Sequence, residues 1–144
     1  MARSLLGLKR YQEALALLTR RAEMCAQTRD EDAWIDLGLC LEGLGRTQEA
    51  QECYRRGSPM YGRTWLHQAL VCKQSGQTND AREYFGRATE CFNAQLRVGM
   101  NSAAALLEIE QAREKLRELD PERFELLEAD HRRRLNEKAA PPSP

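Results

Sequence analysis

The chain has 144 residues, long enough for one domain that could bury roughly 70% of its unfolded surface, so a core is expected without covalent staples. Its 22 basic and 22 acidic side chains cancel, which leaves no net field to draw it to nucleic acid or an anionic membrane. The opening MARSLLGLKRYQ lacks the apolar stretch and small-residue cleavage site of a secretory leader, and no run of about eighteen apolar residues follows, so a soluble, cytoplasmic protein is expected.

Five cysteines, Cys25, Cys40, Cys53, Cys72 and Cys91, are odd in number, widely spaced and free of any Cys-x-x-Cys pair. They suit neither a disulfide framework nor a zinc site and read as reduced, small apolar packers.

Along the chain, KRYQEALALL carries Tyr11, Glu13, Ala14 and Leu18, a helical pattern that returns 36 positions later at Glu49, Ala50 and Tyr54. Residues 27–32 form a polar loop in which Thr28 or Asp30 can cap the next helix. Two matched units then follow at a spacing of 31 residues: Trp34 aligns with Trp65, Leu39 with Leu70, Gly45 with Gly76, Thr47 with Thr78, Ala50 with Ala81, Glu52 with Glu83 and Arg56 with Arg87. Each begins with an aromatic and places a small residue, Gly38 or Ala69, one helical turn on, which lets a neighbouring helix come close. Each breaks at a glycine, Gly45 or Gly76, suited to a left-handed helix end. The second helix then carries a narrow stripe, Ala50 and Tyr54 in one copy, Ala81, Phe85 and Ala88 in the other. A single hairpin leaves a face uncovered, and stacking hairpins hides it, which is a physical reason for repetition.

From Asn93 onward the repeat pattern stops while helical periodicity continues. Ala105, Ile109, Ala112, Leu116 and Leu119 form one apolar stripe of an amphipathic helix, Asp120-Pro121 ends it, and a last helix places Phe124, Leu127 and Leu135 on one side. The pair reads as a cap on the last hairpin.

Trp34, Leu37, Gly38, Ala50 and Tyr54, with Trp65, Ala69, Ala81, Phe85 and Ala88, resemble the signature of the tetratricopeptide repeat, a helix-turn-helix unit of about 34 residues. The departures are Gln68 where leucine is usual, Cys72 where tyrosine or leucine is usual, and Gly62 and Asn93 in place of the terminal proline. The short spacing places the missing length in the connector from Gly57 to Gly62. The resemblance implies an all-α fold, a right-handed α-solenoid of helix-turn-helix hairpins with C-terminal capping helices. Its divisions would be a truncated first repeat over 1–26, a second over 31–62, a third over 63–98, capping helices over 101–138 and a disordered tail over 139–144.

In that family the first helix of each repeat lines a concave surface that grips a peptide or helix of another protein. Carried over by position, the partner-binding residues are Ile35, Asp36, Leu39 and Glu42 from the second repeat, with Asp32 beside them, and Arg63, Leu66, His67, Leu70 and Lys73 from the third. Ile35, Leu39, Leu66 and Leu70 would form an apolar floor between edges of opposite charge. The alternative is that these leucines are covered by the chain's own terminal helix or by a second copy in a homodimer. A clamp for a C-terminal carboxylate, as in co-chaperones of the family, is disfavoured because Asp36 stands where asparagine is needed and His67 where arginine is needed. A second resemblance is to the small chaperones of type III secretion translocators, carried by Gly38-Leu39-Cys40, Gly45, Ala50, Tyr54, Gly57, His67, Ala69 and Gly76.

No catalytic, metal or cofactor site is expected: the only histidines, His67 and His131, have no partners at ligand spacing, and no glycine-rich phosphate loop follows a strand. The run His131-Arg132-Arg133-Arg134 raises nucleic-acid binding as the alternative from another class, but Glu122, Glu125, Glu128 and Asp130 precede it.

Overall fold

The computed structural model describes residues 2–24, 32–99 and 102–139, with side chains described between Arg10 and Glu137 of these. Among the described residues there are seven helices and no strand: α1 (Ala2–Glu23), α2 (Ala33–Gly43), α3 (Thr47–Arg56), α4 (Gly62–Gln74), α5 (Thr78–Arg97), α6 (Ala103–Leu119) and α7 (Pro121–Ala139). Consecutive helices pack on one another, α2 with α3, α4 with α5 and α6 with α7, and α1, α3 and α5 each pack against the helix that follows. The result is an all-α helical-repeat solenoid, as the repeat predicts. Thr28 and Asp30, the cap candidates, lie outside the described residues, as do residues 140–144 of the tail.

The hairpin bends follow from two glycines. Gly45 and Gly76 adopt φ of 79° and 77°, a left-handed conformation that costs a residue with a Cβ roughly 1–2 kcal/mol. Around Gly45 the backbone closes as a Schellman motif, with Arg46 N–H donating to Leu41 O at 2.8 Å and Gly45 N–H to Glu42 O at 2.9 Å. The same pair recurs at the second bend, Gln77 N–H to Cys72 O at 2.8 Å and Gly76 N–H to Lys73 O at 3.2 Å.

Within each hairpin the seam joins a small residue to an aromatic ring. Tyr54 is fully buried and lies so close to Gly38 that a Cβ there would stand 2.3 Å from Tyr54 Cε1. Ala50, Ala69, Ala81, Ala88 and Phe85 are all at 0% exposure. One cluster gathers Ile35, Leu41, Ala50 and Tyr54 with Ala22 of α1, and Val71 of α4 enters it from the next repeat. The other gathers Leu66, Ala69, Phe85 and Phe92 with Ile109, Ala112 and Leu116 of α6. Each large side chain so buried contributes about 1.5–3 kcal/mol.

Trp34 and Trp65 are half-buried, each under a guanidinium from the second helix of its own repeat. Arg56 stands 5.2 Å from the Trp34 ring centroid and Arg87 5.0 Å from that of Trp65. The two aligned arginines are thus matched cation–π partners. Gln68, in place of the usual leucine, is buried and donates to Tyr54 O at 3.4 Å, tying α4 to α3. Asn93, in place of the proline that would stop the helix, lets α5 continue to Arg97. The added turn carries Gln95, whose Oε1 accepts from Gly62 N–H at 2.7 Å.

Ser102 caps α6 by accepting from Ala105 N–H at 3.2 Å, and Asp120 begins α7 by accepting from Arg123 N–H at 3.2 Å. Phe124 and Leu127 pack on the core of the last hairpin, but Leu135 is 41% exposed. The stripe instead continues through His131, one turn after Leu127 and 8% exposed.

The seam makes a specific demand on Gly38. In the wild type Gly38→Ala is expected to cost about 2 kcal/mol, overpacking less the gain in helix propensity; with Tyr54→Ala it is expected to be neutral or stabilising. A double-mutant cycle in urea measures the coupling, and equal effects in both backgrounds would contradict the packing described.

Candidate functional site

The first helices α2, α4 and α6 lie side by side, and charged side chains bridge them. Arg63, on the first turn of α4, reaches both neighbours: Nη1 lies 2.8 Å from Asp32 Oδ1 and 3.8 Å from Asp36 Oδ1 on the α2 side, and Nε lies 2.9 Å from Glu108 Oε2 on α6. Asp36 is held from its other side by Arg21 of α1 at 2.7 Å. The Tyr61 hydroxyl donates to the same Asp32 oxygen at 2.8 Å, which explains why Asp32 precedes α2 without capping it. A ladder of alternating charge therefore runs from Arg21 through Asp36 and Arg63 to Glu108.

The position-derived residues fall into three groups. Ile35 and Leu66 are 0% and 1% exposed; they belong to the core beneath the face and offer it no surface. Leu39 and Leu70 are half-buried, each packed against its repeat's cluster. The polar members are engaged: Asp36 and Arg63 in the ladder, Glu42 as acceptor for the Tyr54 hydroxyl, and His67 stacked on Tyr54 at 5.6 Å between centroids. His67 Nε2 also lies 3.7 Å from Glu108 Oε2. Lys73 is exposed beside Lys115 of α6, and this cationic neighbour lowers the Lys73 pKa.

Arg21, Glu108 and Lys115 are members of the face that positional transfer misses, since they lie outside the two matched units. Burial works to raise the Glu108 pKa, but the neighbouring His67 ring and the Arg63 guanidinium overcome it and hold the carboxyl below its usual range. Burial, then the Tyr54–Glu42 hydrogen bond, push the Tyr54 phenol above its ordinary value. At neutral pH these effects favour an ionised Glu108 beside Arg63 and a protonated Tyr54 phenol donating to Glu42.

The basic run on α7 is largely matched within its own helix. Arg133 lies 2.5 Å from Asp130 and 3.3 Å from Glu137, and Arg134 2.9 Å from Asp130. His131 Nδ1 stands 3.2 Å from Arg97 Nη1, and burial followed by that guanidinium lowers its pKa. Among the described residues no group of three or more His, Cys, Asp or Glu side chains could hold a metal ion, and no helix is long and apolar enough to cross a membrane.

The folded pKa of Glu108 is depressed, so its contribution is fully present above the unfolded value and is lost as pH falls through the folded one. Glu108→Gln is therefore expected to cost about 1–2 kcal/mol at pH 7 and progressively less below the usual carboxylate pKa of about 4.3. Urea unfolding of both proteins across this range checks it, and a pH-independent difference would contradict the ion-pair account.

A family model described as "Tetratricopeptide repeat" matches residues 31–57 and 62–91, spans that take in α2 with α3 and α4 with most of α5. No curated protein and no solved structure gave a significant match. The matched spans, the two glycine bends and the seam of alanine against aromatic agree on one conclusion: the chain contains two tetratricopeptide repeats, over residues 31–57 and 62–91.

Proposed function

We propose that this protein is a non-catalytic cytoplasmic adaptor that holds a peptide or helix of a partner on the face shared by α2, α4 and α6. Tetratricopeptide repeats are in general protein-interaction modules, and the finer reading rests on how the face divides its chemistry. The observation that carries it is that Leu39 and Leu70 remain half-exposed on adjacent first helices while the charges above them are already paired. Two apolar contacts of this kind suit the anchors of an amphipathic segment.

The paired lysines give the binding mode a direction. Lys73 and Lys115 bring two positive charges together without a carboxylate between them, apart from Glu118 at 3.8 Å from Lys115. A partner whose apolar anchors are followed by an acidic group would place that group at this end, where it relieves the repulsion. Arg21, Asp36, Arg63 and Glu108 are better suited to fixing the spacing of the helices than to meeting a charged ligand. The α7 arginines support nucleic-acid binding less well, because Asp130 and Glu137 already pair with Arg133 and Arg134.

Affinity capture from native extract, with wild type beside Leu39→Lys and Leu70→Lys, tests the reading. Both variants are expected to keep wild-type helicity and to lose the captured partner by about tenfold or more, since each buries a charge in an apolar contact. Folded variants that retain every partner would place binding elsewhere on the molecule.

A further inference from the structure

Helix α7 is fastened to α5 at two places of opposite electrostatic character. Near its start, Arg123 lies against the α5 backbone at Gly86, where a Cβ would stand 2.4 Å from the guanidinium carbon, and it reaches Glu83 at 2.8 Å and Glu90 at 3.8 Å. This fastening joins opposite charges. The hydrogen bonds from Arg123 and then Arg87 hold the Glu83 carboxyl below its usual range, so the clamp survives mild acid.

Further along α7 the second fastening sets a ring against a cation. His131 is 8% exposed, and its Nδ1 stands 3.2 Å from Arg97 Nη1 of α5. A guanidinium only donates, so Nδ1 accepts and the ring is neutral with its proton on Nε2. Protonation occupies that lone pair and places an imidazolium beside a cation that does not titrate. The other charges acting on the ring are Arg113 of α6 and, on α7 itself, Glu128 and Asp130. Both carboxylates are already engaged, Glu128 by Arg113 at 2.5 Å and Asp130 by Arg133 at 2.5 Å and Arg134 at 2.9 Å. Glu128 Oε1, buried without a hydrogen-bond partner, is the acceptor that would have to answer the new charge, against two guanidiniums and the loss of solvation. Leu127, one turn before His131, packs on the core of the last hairpin.

We propose that α7 is an acid-sensitive strap: protonation of His131 releases the C-terminal half of the helix from α5, while the Arg123 clamp stays closed and acts as the hinge. Residues 127–139 are too few to stay helical alone in water, where about 12–15 residues are needed, so this half frays as it leaves and uncovers Leu127. An undocked ring titrates near the ordinary histidine value of about 6.5, and burial followed by the Arg97 charge keeps the docked ring below it. The docked state therefore binds fewer protons. Its stability is fully present above the undocked value and falls as pH drops through it towards the docked one.

The test follows amide exchange and the histidine ring signals of the ¹⁵N-labelled full chain from about pH 7.5 to about pH 5, above the carboxylate range in which the Glu108 pair is lost. After correction for the intrinsic pH dependence of exchange, opening of the amides beyond Leu127 is expected to rise about fivefold or more, while those of α4 keep their protection. His131→Gln keeps a neutral acceptor for Arg97 and is expected to stay docked and to lose the response. Both proteins retain His67, so the difference between them belongs to His131. Arg97→Met leaves the ring in place and is expected to raise the His131 pKa and reduce the response. A His131 pKa at or above the ordinary value, which would mean that Glu128 and Asp130 prevail, would overturn the proposal. So would a response that persists in His131→Gln, a His131 pKa unmoved by Arg97→Met, or equal loss of protection in α4 and α7, which would mean that the whole chain opens.

Discussion

The structure depends on how closely two helices can approach, and in the first matched hairpin that distance is set by the absence of a side chain. Gly38 allows the Tyr54 ring to lie against the α2 backbone, and the ring then fills the space that a conventional pair of aliphatic residues would share. In the next hairpin Ala69, Ala81 and Ala88 surround the buried Phe85 in the same manner. Small residues facing rings hold each hairpin closed, and the glycine bends make the return path short enough for the rings to meet their partners. Once both hairpins have this shape they stack, with Val71 of one entering the cluster of the other.

Stacking brings the first helices into a row, and the row is fastened by charge. Arg63 stands at its centre, joined to α2 through Asp32 and to α6 through Glu108. Its side chain is 23% exposed, so these bonds operate partly shielded from water and are worth more than a solvated surface pair. The polar groups of this face mostly fix geometry, and in the proposed function recognition falls to Leu39, Leu70 and the lysine pair at the far end. The terminal helices take part in this: α6 supplies both Glu108 and Lys115 and extends the row.

Much of this was legible in the sequence because the seam dictates residue type at fixed intervals. Tryptophan, glycine and alanine return every 31 positions since each copy solves the same packing problem, and the bends appear at Gly45 and Gly76 for the same reason. The site was less legible. Ile35 and Leu66 share a helix with Leu39 and Leu70, and only tertiary packing decides that the first pair is sealed beneath the second. Glu108 and Arg21 meet the repeats through contacts between distant segments, which no local spacing records. Asn93 was visible as a missing proline, but the effect of the exchange, an α5 that runs on to Arg97 and brings Gln95 to the Gly62 N–H, depends on tertiary packing. Leu135 followed the helical period yet stays largely exposed, because His131 takes the buried place one turn earlier.

The Tyr54 ring rests on the backbone of Gly38, a contact that nuclear Overhauser effects in the labelled protein measure. Strong cross-peaks are expected between the Tyr54 ring protons and the Gly38 α-protons, with those α-protons displaced by the ring current. A Tyr54 ring without contact to α2, or with a rapidly exchanging hydroxyl, would contradict it.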